Sequence, residues 1–236
     1  MILENKVAVV AGGAGGVGEG IVRALLKNGA TVVVPSRTPY KLERLKEYVA
    51  DIPTGQLATV DGSVNTEENA RRLSESLFQE FKQIDLAVAS LGGWHQGYPL
   101  YSYPMHEWNR ILADNLTSHL LAIKTFVPLL DPRKGSYFHI NGFSADEAYP
   151  MAGPLAMAAA AQKSMIQTLA KEVDKTGINV FELILGPMKT RDRLKHGHGQ
   201  DDWYFPEEIG DYIVHLVESH IQEKVVHYLL KKEASA

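Results

Sequence analysis

Apolar positions recur along the chain at two alternating spacings. Short apolar or β-branched runs at Val7–Ala11, Ala30–Val34, Gly55–Val60, Ile84–Ser90, Gly135–Asn141, Ile178–Leu185 and Val225–Leu230 predict strands. Between them the apolar residues fall at helical spacing, over Gly20–Lys27, Tyr40–Val49, Thr66–Lys82, His106–Leu130, Pro154–Lys175 and Pro206–Glu218. The first of these places Ile21, Val22, Leu25 and Leu26 on one side. The punctuation agrees: Asn28-Gly29 is a helix stop, Thr66 with Glu67 and Glu68 behind it a helix start, and Pro128 and Pro132 end the fourth helix. Strands that alternate with helices predict one α/β domain over residues 1–236, a doubly wound parallel sheet of about seven strands with helices on both faces. Residues 187–205 lack either period, are rich in glycine, histidine and charge, and read as a mobile lid.

Composition narrows the class. The 236 residues are 45% hydrophobic, enough for one packed core, and the formal charge of −4 with no basic run argues against a nucleic-acid partner. There is no cysteine, which excludes disulfides, thiolate metal sites and a cysteine nucleophile. Met1-Ile-Leu-Glu-Asn precedes the first strand with no signal-peptide pattern, and no apolar run approaches the roughly 18 residues of a membrane span. The expectation is a soluble, cytoplasmic protein with a small-molecule ligand.

In a doubly wound sheet, ligands bind beyond the carboxyl ends of the strands, so the loops there carry the functional reading. The first strand runs into Gly12, Gly13, Gly15, Gly16 and Gly18 and then into a helix, an arrangement that turns backbone N–H groups and a helix dipole toward an anion such as a pyrophosphate. Ser36 and Arg37 follow the second strand, where an acidic residue would favour a free ribose 2′-hydroxyl and an arginine favours a 2′-phosphate; this points to NADP(H) over NAD(H). Asp61 ends the third strand, placed to accept an adenine amino group. Leu91-Gly92-Gly93 after the fourth allows close backbone approach to a ribose. The bland alternatives are a ligand-free glycine turn, a solvated arginine and a turn-starting aspartate.

With these residues in place the chain resembles the short-chain dehydrogenases/reductases, Rossmann-fold enzymes, over nearly its full length. The resemblance rests on Gly12/Gly16/Gly18, Asp61, Ala89-Ser-Leu-Gly92, Asp114-Asn115-Leu116, Leu169-Ala-Lys-Glu-Val173 and Leu185-Gly-Pro-Met-Lys-Thr190. It implies cofactor contacts from Gly12, Gly16, Val17, Gly18, Ser36, Arg37, Asp61, Gly92, Asn115, Gly186, Met188 and Thr190. It also implies a homodimer or homotetramer packed through the helices at 106–130 and 154–175. The family reduces carbonyls with a tyrosine acid, a lysine four residues later, a serine near the end of the fifth strand and an asparagine that helps hold a water. Counting back from Leu169–Val173 puts Leu155 at the tyrosine position and Ala159 at the lysine position; Gly142 falls at the serine position and only Asn115 matches.

Several residues are candidates to stand in. Tyr149, Ser144 and Asp146 share the loop after the fifth strand, and His95 and Tyr98 the loop after the fourth. Lys163 lies one turn beyond Ala159, either reaching back toward a ribose or lying along an interface. Trp94, His95, Tyr98, Tyr149, Met151 and Met188 suggest a partly aromatic pocket. Tyr228 and Lys232 make a Tyr-x-x-x-Lys spacing by chance, and His196 and His198 read as a solvated lid rather than as metal ligands. Three functions stay open: an NADP(H)-dependent oxidoreductase with a rebuilt acid; a non-catalytic nucleotide-binding sensor, scaffold or inactive partner subunit; and a non-redox isomerase or dehydratase using the same pocket.

Overall fold

The computed structural model describes residues 1–219 and 224–232. Its seven strands are β1 (Val7–Ala11), β2 (Thr31–Ser36), β3 (Gln56–Asp61), β4 (Leu86–Ala89), β5 (Ser136–Gly142), β6 (Asn179–Leu185) and β7 (Val226–Leu229). All pair in parallel, in the order β3-β2-β1-β4-β5-β6-β7. The eight α-helices among the described residues are α1 (Gly18–Lys27), α2 (Pro39–Val49), α3 (Glu67–Phe81), α4 (Met105–Leu112), α5 (Ser118–Phe126), α6 (Gly153–Glu172), α7 (Arg191–Lys195) and α8 (Pro206–Ser219). The predicted doubly wound sheet is therefore the fold.

Each face of the sheet carries its own core. Val10, Val32, Val34, Phe138 and Leu183 point toward α1, α2 and α8, while Val9, Val33, Ala87, Tyr137 and Val180 point toward α3, α5 and α6. Central strands covered on both sides need apolar residues at successive positions, which is why β1, β2 and β4 read as unbroken apolar runs. Local signals hold at the ends: Thr66 accepts a hydrogen bond from the Asn69 N–H at 3.2 Å and caps α3.

The expected single helix over 106–130 is interrupted. Between α4 and α5 the chain widens into a π turn at Ala113–Thr117, and after α5 it tightens into a 3₁₀ turn at Val127–Leu129. Such π turns cluster at functional sites, and this one carries Asn115. The segment expected to be irregular contains α7 and is pinned by a bridge between Met188 and Tyr204, with the Lys232 N–H donating to the Asp202 carbonyl at 2.8 Å.

Two glycines let α1 and α8 approach closely. A Cβ on Gly20 would lie 2.4 Å from Pro206 Cβ, and one on Gly210 would lie 2.5 Å from Ala24 Cβ. Gly210→Ala overpacks this crossing, an effect of about 1–3 kcal/mol, and is expected to lower the melting temperature by roughly 5 °C. An unchanged melting temperature would show that the helices separate freely.

A buried carboxyl sits under α6. Glu182 on β6 is fully buried; its Oε1 accepts from Asn141 Nδ2 at 2.8 Å, while Oε2 has no partner among the described residues. Burial pushes this carboxyl up from 4.5 to about 7, opposed by the Asn141 hydrogen bond. Between those values the folded chain holds a proton that the unfolded chain has released, so Glu182 destabilises the fold progressively as pH rises through that range. Glu182→Gln removes the titration. Thermal melts should show the variant gaining on the parent from about pH 5 to about pH 8, by a few kcal/mol at most; a margin independent of pH would contradict the assignment.

Candidate functional site

The strand order reverses between β1 and β4, and two adjoining cavities open at the strand ends there. One, of about 580 Å³, is lined by Gly12, Ser36, Arg37, Lys41, Gly62–Asn65 and the 91–95 loop. The other, of about 350 Å³, runs from Gly15–Gly18 past Gly142 and Ser144 to Leu155, Ala159, Gln162 and the segment Leu185–Arg193. Leu91, Gly92, Gly93, Trp94 and Asn115 border both.

The glycine turn closes on itself. Gly12 has φ +80°, and a Cβ there would lie 1.9 Å from the Ser90 carbonyl oxygen; a Cβ on Gly18 would lie 2.1 Å from the Gly12 oxygen. These two positions are glycine because the turn and β4 pack against them, so the backbone contact expected with a ligand falls instead to Gly15, Gly16 and Val17. Among the described residues the amides of Gly16 and Val17 donate to no backbone carbonyl, and Val17 caps α1 without a side-chain hydrogen bond. That leaves an uncapped helix end facing the cavity, which suits an anion.

Most of the expected contacts converge. Gly16, Val17, Gly18, Gly92, Asn115, Gly186, Met188 and Thr190 line the smaller cavity, and Gly12, Ser36 and Arg37 line the larger. Asp61 lines neither. It is the exposed last residue of β3, paired in register with Ser36, and the following residues Gly62–Asn65 form the wall in its place. Of the suggested aromatic pocket, Trp94, His95 and Met188 line the cavities while Tyr98, Tyr149 and Met151 do not. Tyr149 packs edge-on against Trp94 and Phe143, at 5.2 and 5.3 Å between ring centroids.

Asn115 acts as a brace. Its Oδ1 accepts from the Gly93 N–H at 2.9 Å, and its Nδ2 donates to the Ile111 carbonyl at 3.0 Å. Its main-chain oxygen accepts from Gln162 Nε2, which leaves Gln162 Oε1 to accept from His139 Nε2 at 2.9 Å. Gln162 was not singled out in the sequence, where nothing marks an amide inside an alanine-rich helix. Burial pushes His139 down to about 4, against the Gln162 hydrogen bond, and pushes His119 well below its usual range with help from His139. Both rings are neutral at physiological pH.

Of the candidate stand-ins, Lys163, Asp146, Tyr149 and Tyr98 line neither cavity. Lys163 Nζ donates to Asp146 Oδ1 at 2.7 Å and to Tyr228 Oη at 2.8 Å, and Tyr228 in turn donates to Asp146 Oδ2 at 2.9 Å. These contacts push Lys163 up to about 12, the Asp146 hydrogen bond being the largest cause. Lys163 is therefore held by Asp146 and Tyr228, and Tyr228 partners Lys163 rather than Lys232, which pairs with Glu208 at 2.8 Å. Of the loop residues, Ser144 is buried and lines the smaller cavity. Among the side chains that line it, the one ionisable group is Arg193, which the sequence reading passed over. Among the described residues no three histidine, aspartate or glutamate side chains converge as a metal site, and no helix is long and apolar enough to cross a membrane.

The comparisons agree with this geometry. Residues 6–200 match the family model described as short chain dehydrogenase. An uncharacterized oxidoreductase of Staphylococcus aureus (strain MRSA252) is 25% identical over 217 residues, covering 92% of each chain. A short-chain dehydrogenase/reductase from Serratia marcescens superposes with a TM-score of 0.83 at 21% identity, over 98% of this chain and 97% of the other. A metagenomic short-chain oxidoreductase, solved in complex with NADP, gives 0.81 at 19% identity over the whole of both chains. The chain belongs to the short-chain dehydrogenase family.

Proposed function

We propose that the protein binds NADP(H) at this crevice together with a small molecule, and that it does not reduce carbonyls by the family's tyrosine–lysine route. The observation that carries this reading is the lining of the smaller cavity: glycines, apolar side chains, hydroxyls and neutral amides, with one arginine. Gly142, Leu155 and Ala159 stand there at the positions counted for serine, tyrosine and lysine. An arginine stays protonated and a serine hydroxyl is too weak an acid, so no lining group serves as a proton donor near neutral pH. The contribution missing is about 10²–10⁴-fold in rate. The neutral histidines and the Lys163 cluster do not line the cavity.

A bound nicotinamide cofactor would supply hydride chemistry. The uncapped start of α1 at Gly16–Gly18 fits its pyrophosphate, and Gly92, Asn115, Gly186, Met188 and Thr190 fit the remainder. Ser36 and Arg37 fit the 2′-phosphate. Arg37 is exposed, lines the larger cavity beside Lys41, and pairs with no carboxylate among the described residues. These residues support the reading as a binding protein, a sensor or partner rather than a reductase. Self-association through 106–130 and 154–175 belongs to the same reading, supported by exposed Leu120 and Met157 on those helices.

Equilibrium titration separates the cofactor claims. NADPH is expected to bind at least tenfold tighter than NADH, and Arg37→Ala to erase that preference by weakening NADPH about tenfold, with NADH unchanged. Equal loss of both nucleotides, or of neither, removes the 2′-phosphate assignment.

A further inference from the structure

Arginines in this chain are almost all paired. Each one apart from Arg37 and Arg193 lies within 4 Å of a carboxylate, such as Arg191 with Glu19 and Arg23 with Asp51. Neither exception meets a carboxylate among the described residues, and the two line different cavities, Arg37 the larger and Arg193 the smaller. A guanidinium offers five N–H donors in a planar fork matched to an oxyanion. Arg193 commits one of them, Nη1 to the Met188 carbonyl at 3.3 Å, and its guanidinium lies 5.6 Å from the centre of the Trp203 ring. Asp192, its neighbour in sequence, turns instead to Arg44 at 3.6 Å. Arg193 is thus a half-buried cation, held from behind, with most of its donors unmatched and no carboxylate beside it among the described residues.

The rest of the wall indicates what such a cation would hold. Phe143 lines the cavity and stacks on Trp94 with 5.9 Å between centroids, and Leu155 and Met188 add apolar surface. Asn141, Asn115 and Gln162 already spend side-chain donors on protein acceptors. Apart from the free amides at the start of α1, Arg193 is therefore the main uncommitted donor, and the charged one, of an apolar-to-amide pocket. The nucleotide's phosphates have other seats, at the uncapped α1 terminus and at Arg37.

We infer that the smaller cavity takes a small carboxylate with an apolar or aromatic body, and that Arg193 is its counter-ion and its specificity-determining residue. The inference rests on the reading of this crevice as a nucleotide-plus-ligand site. A charge-assisted, two-pronged contact to a carboxylate is worth more than any neutral contact the other lining groups offer. The isosteric amide offers the fork one neutral oxygen in place of two charged ones.

Calorimetric titration with matched pairs of probes tests this: benzoate against benzamide, 1-naphthoate against 1-naphthamide, and hexanoate against hexanamide, with and without saturating NADP⁺. At least one carboxylate is expected to bind about tenfold or more tightly than its amide. Arg193→Gln should bring that ratio to about one, and Arg193→Lys should keep part of it, with NADPH affinity and melting temperature unchanged in both. Three results would overturn the inference: no carboxylate preferred over its amide, a preference that survives Arg193→Gln, or a variant that loses NADPH affinity while the ratio stands. The last result would assign the guanidinium to the cofactor phosphates. A parent protein that prefers carboxylates yet fails to bind NADPH would instead remove the nucleotide reading and leave Arg193 as an anion site.

Discussion

The Asn115–Gln162 contact ties together the loop after β4, the π turn, α6 and β5, four of the segments at the crevice. Asn115 sits in a π turn that interrupts a long helix, so its side chain turns inward to hold the Gly93 amide while its main-chain oxygen is left for Gln162. Gln162, on α6, uses its other end to hold His139 on β5. One buried chain of amides thus links the loop after β4, the π turn, α6 and β5. Gly92 has to be glycine here, since a Cβ would lie 2.2 Å from Asn115 Oδ1. In a low-dielectric interior such a network is worth keeping only when its members are satisfied, and its two amide side chains are. The cost shows at the neighbouring histidines, where Nδ1 of His119 and of His139 has no partner among the described residues.

This brace explains how the crevice can persist without the residues that usually justify it. The cavity shape depends on backbone and amide contacts, not on a tyrosine at 155 or a lysine at 159. Leu155 and Ala159 are buried and fill the α6 face that borders the pocket, and the Ala159 carbonyl accepts from Asn141 Nδ2 at 2.9 Å. Asn141 in turn reaches Glu182, so a second polar chain runs beneath α6 toward the Asp146–Lys163–Tyr228 cluster. Ionisable groups have gathered behind the helix and left the cavity neutral except for Arg193.

Much of this was legible in the sequence because it depends on local pattern. The strands came from apolar runs, the glycine turn from its place between a strand and a helix, and the site loops from the strand ends. Arg37 was legible as a cavity-lining residue because it directly follows β2. Other features depend on which side chains tertiary packing brings together. The Lys163–Tyr228 pair spans 65 positions, and a Tyr-x-x-x-Lys pattern at Tyr228–Lys232 offered a misleading local alternative. Arg193 looked like one charge among several in an irregular segment, and only the pairing of its neighbours shows that it is unmatched. Asp61 was placed by motif, but its position at the end of an outer strand turns it to solvent. The π turn left no periodic trace, since one widened turn barely shifts the apolar spacing on either side.

Holding a nicotinamide cofactor and using it are separate properties of this crevice, and steady-state NADPH consumption measures that separation most directly. With the protein saturated by NADPH and offered a panel of aldehydes, ketones and oxo-acids, the account predicts bound cofactor and no oxidation above the protein-free rate. Turnover orders of magnitude above that rate would contradict it, because a proton donor would then be reaching a cavity whose lining provides none.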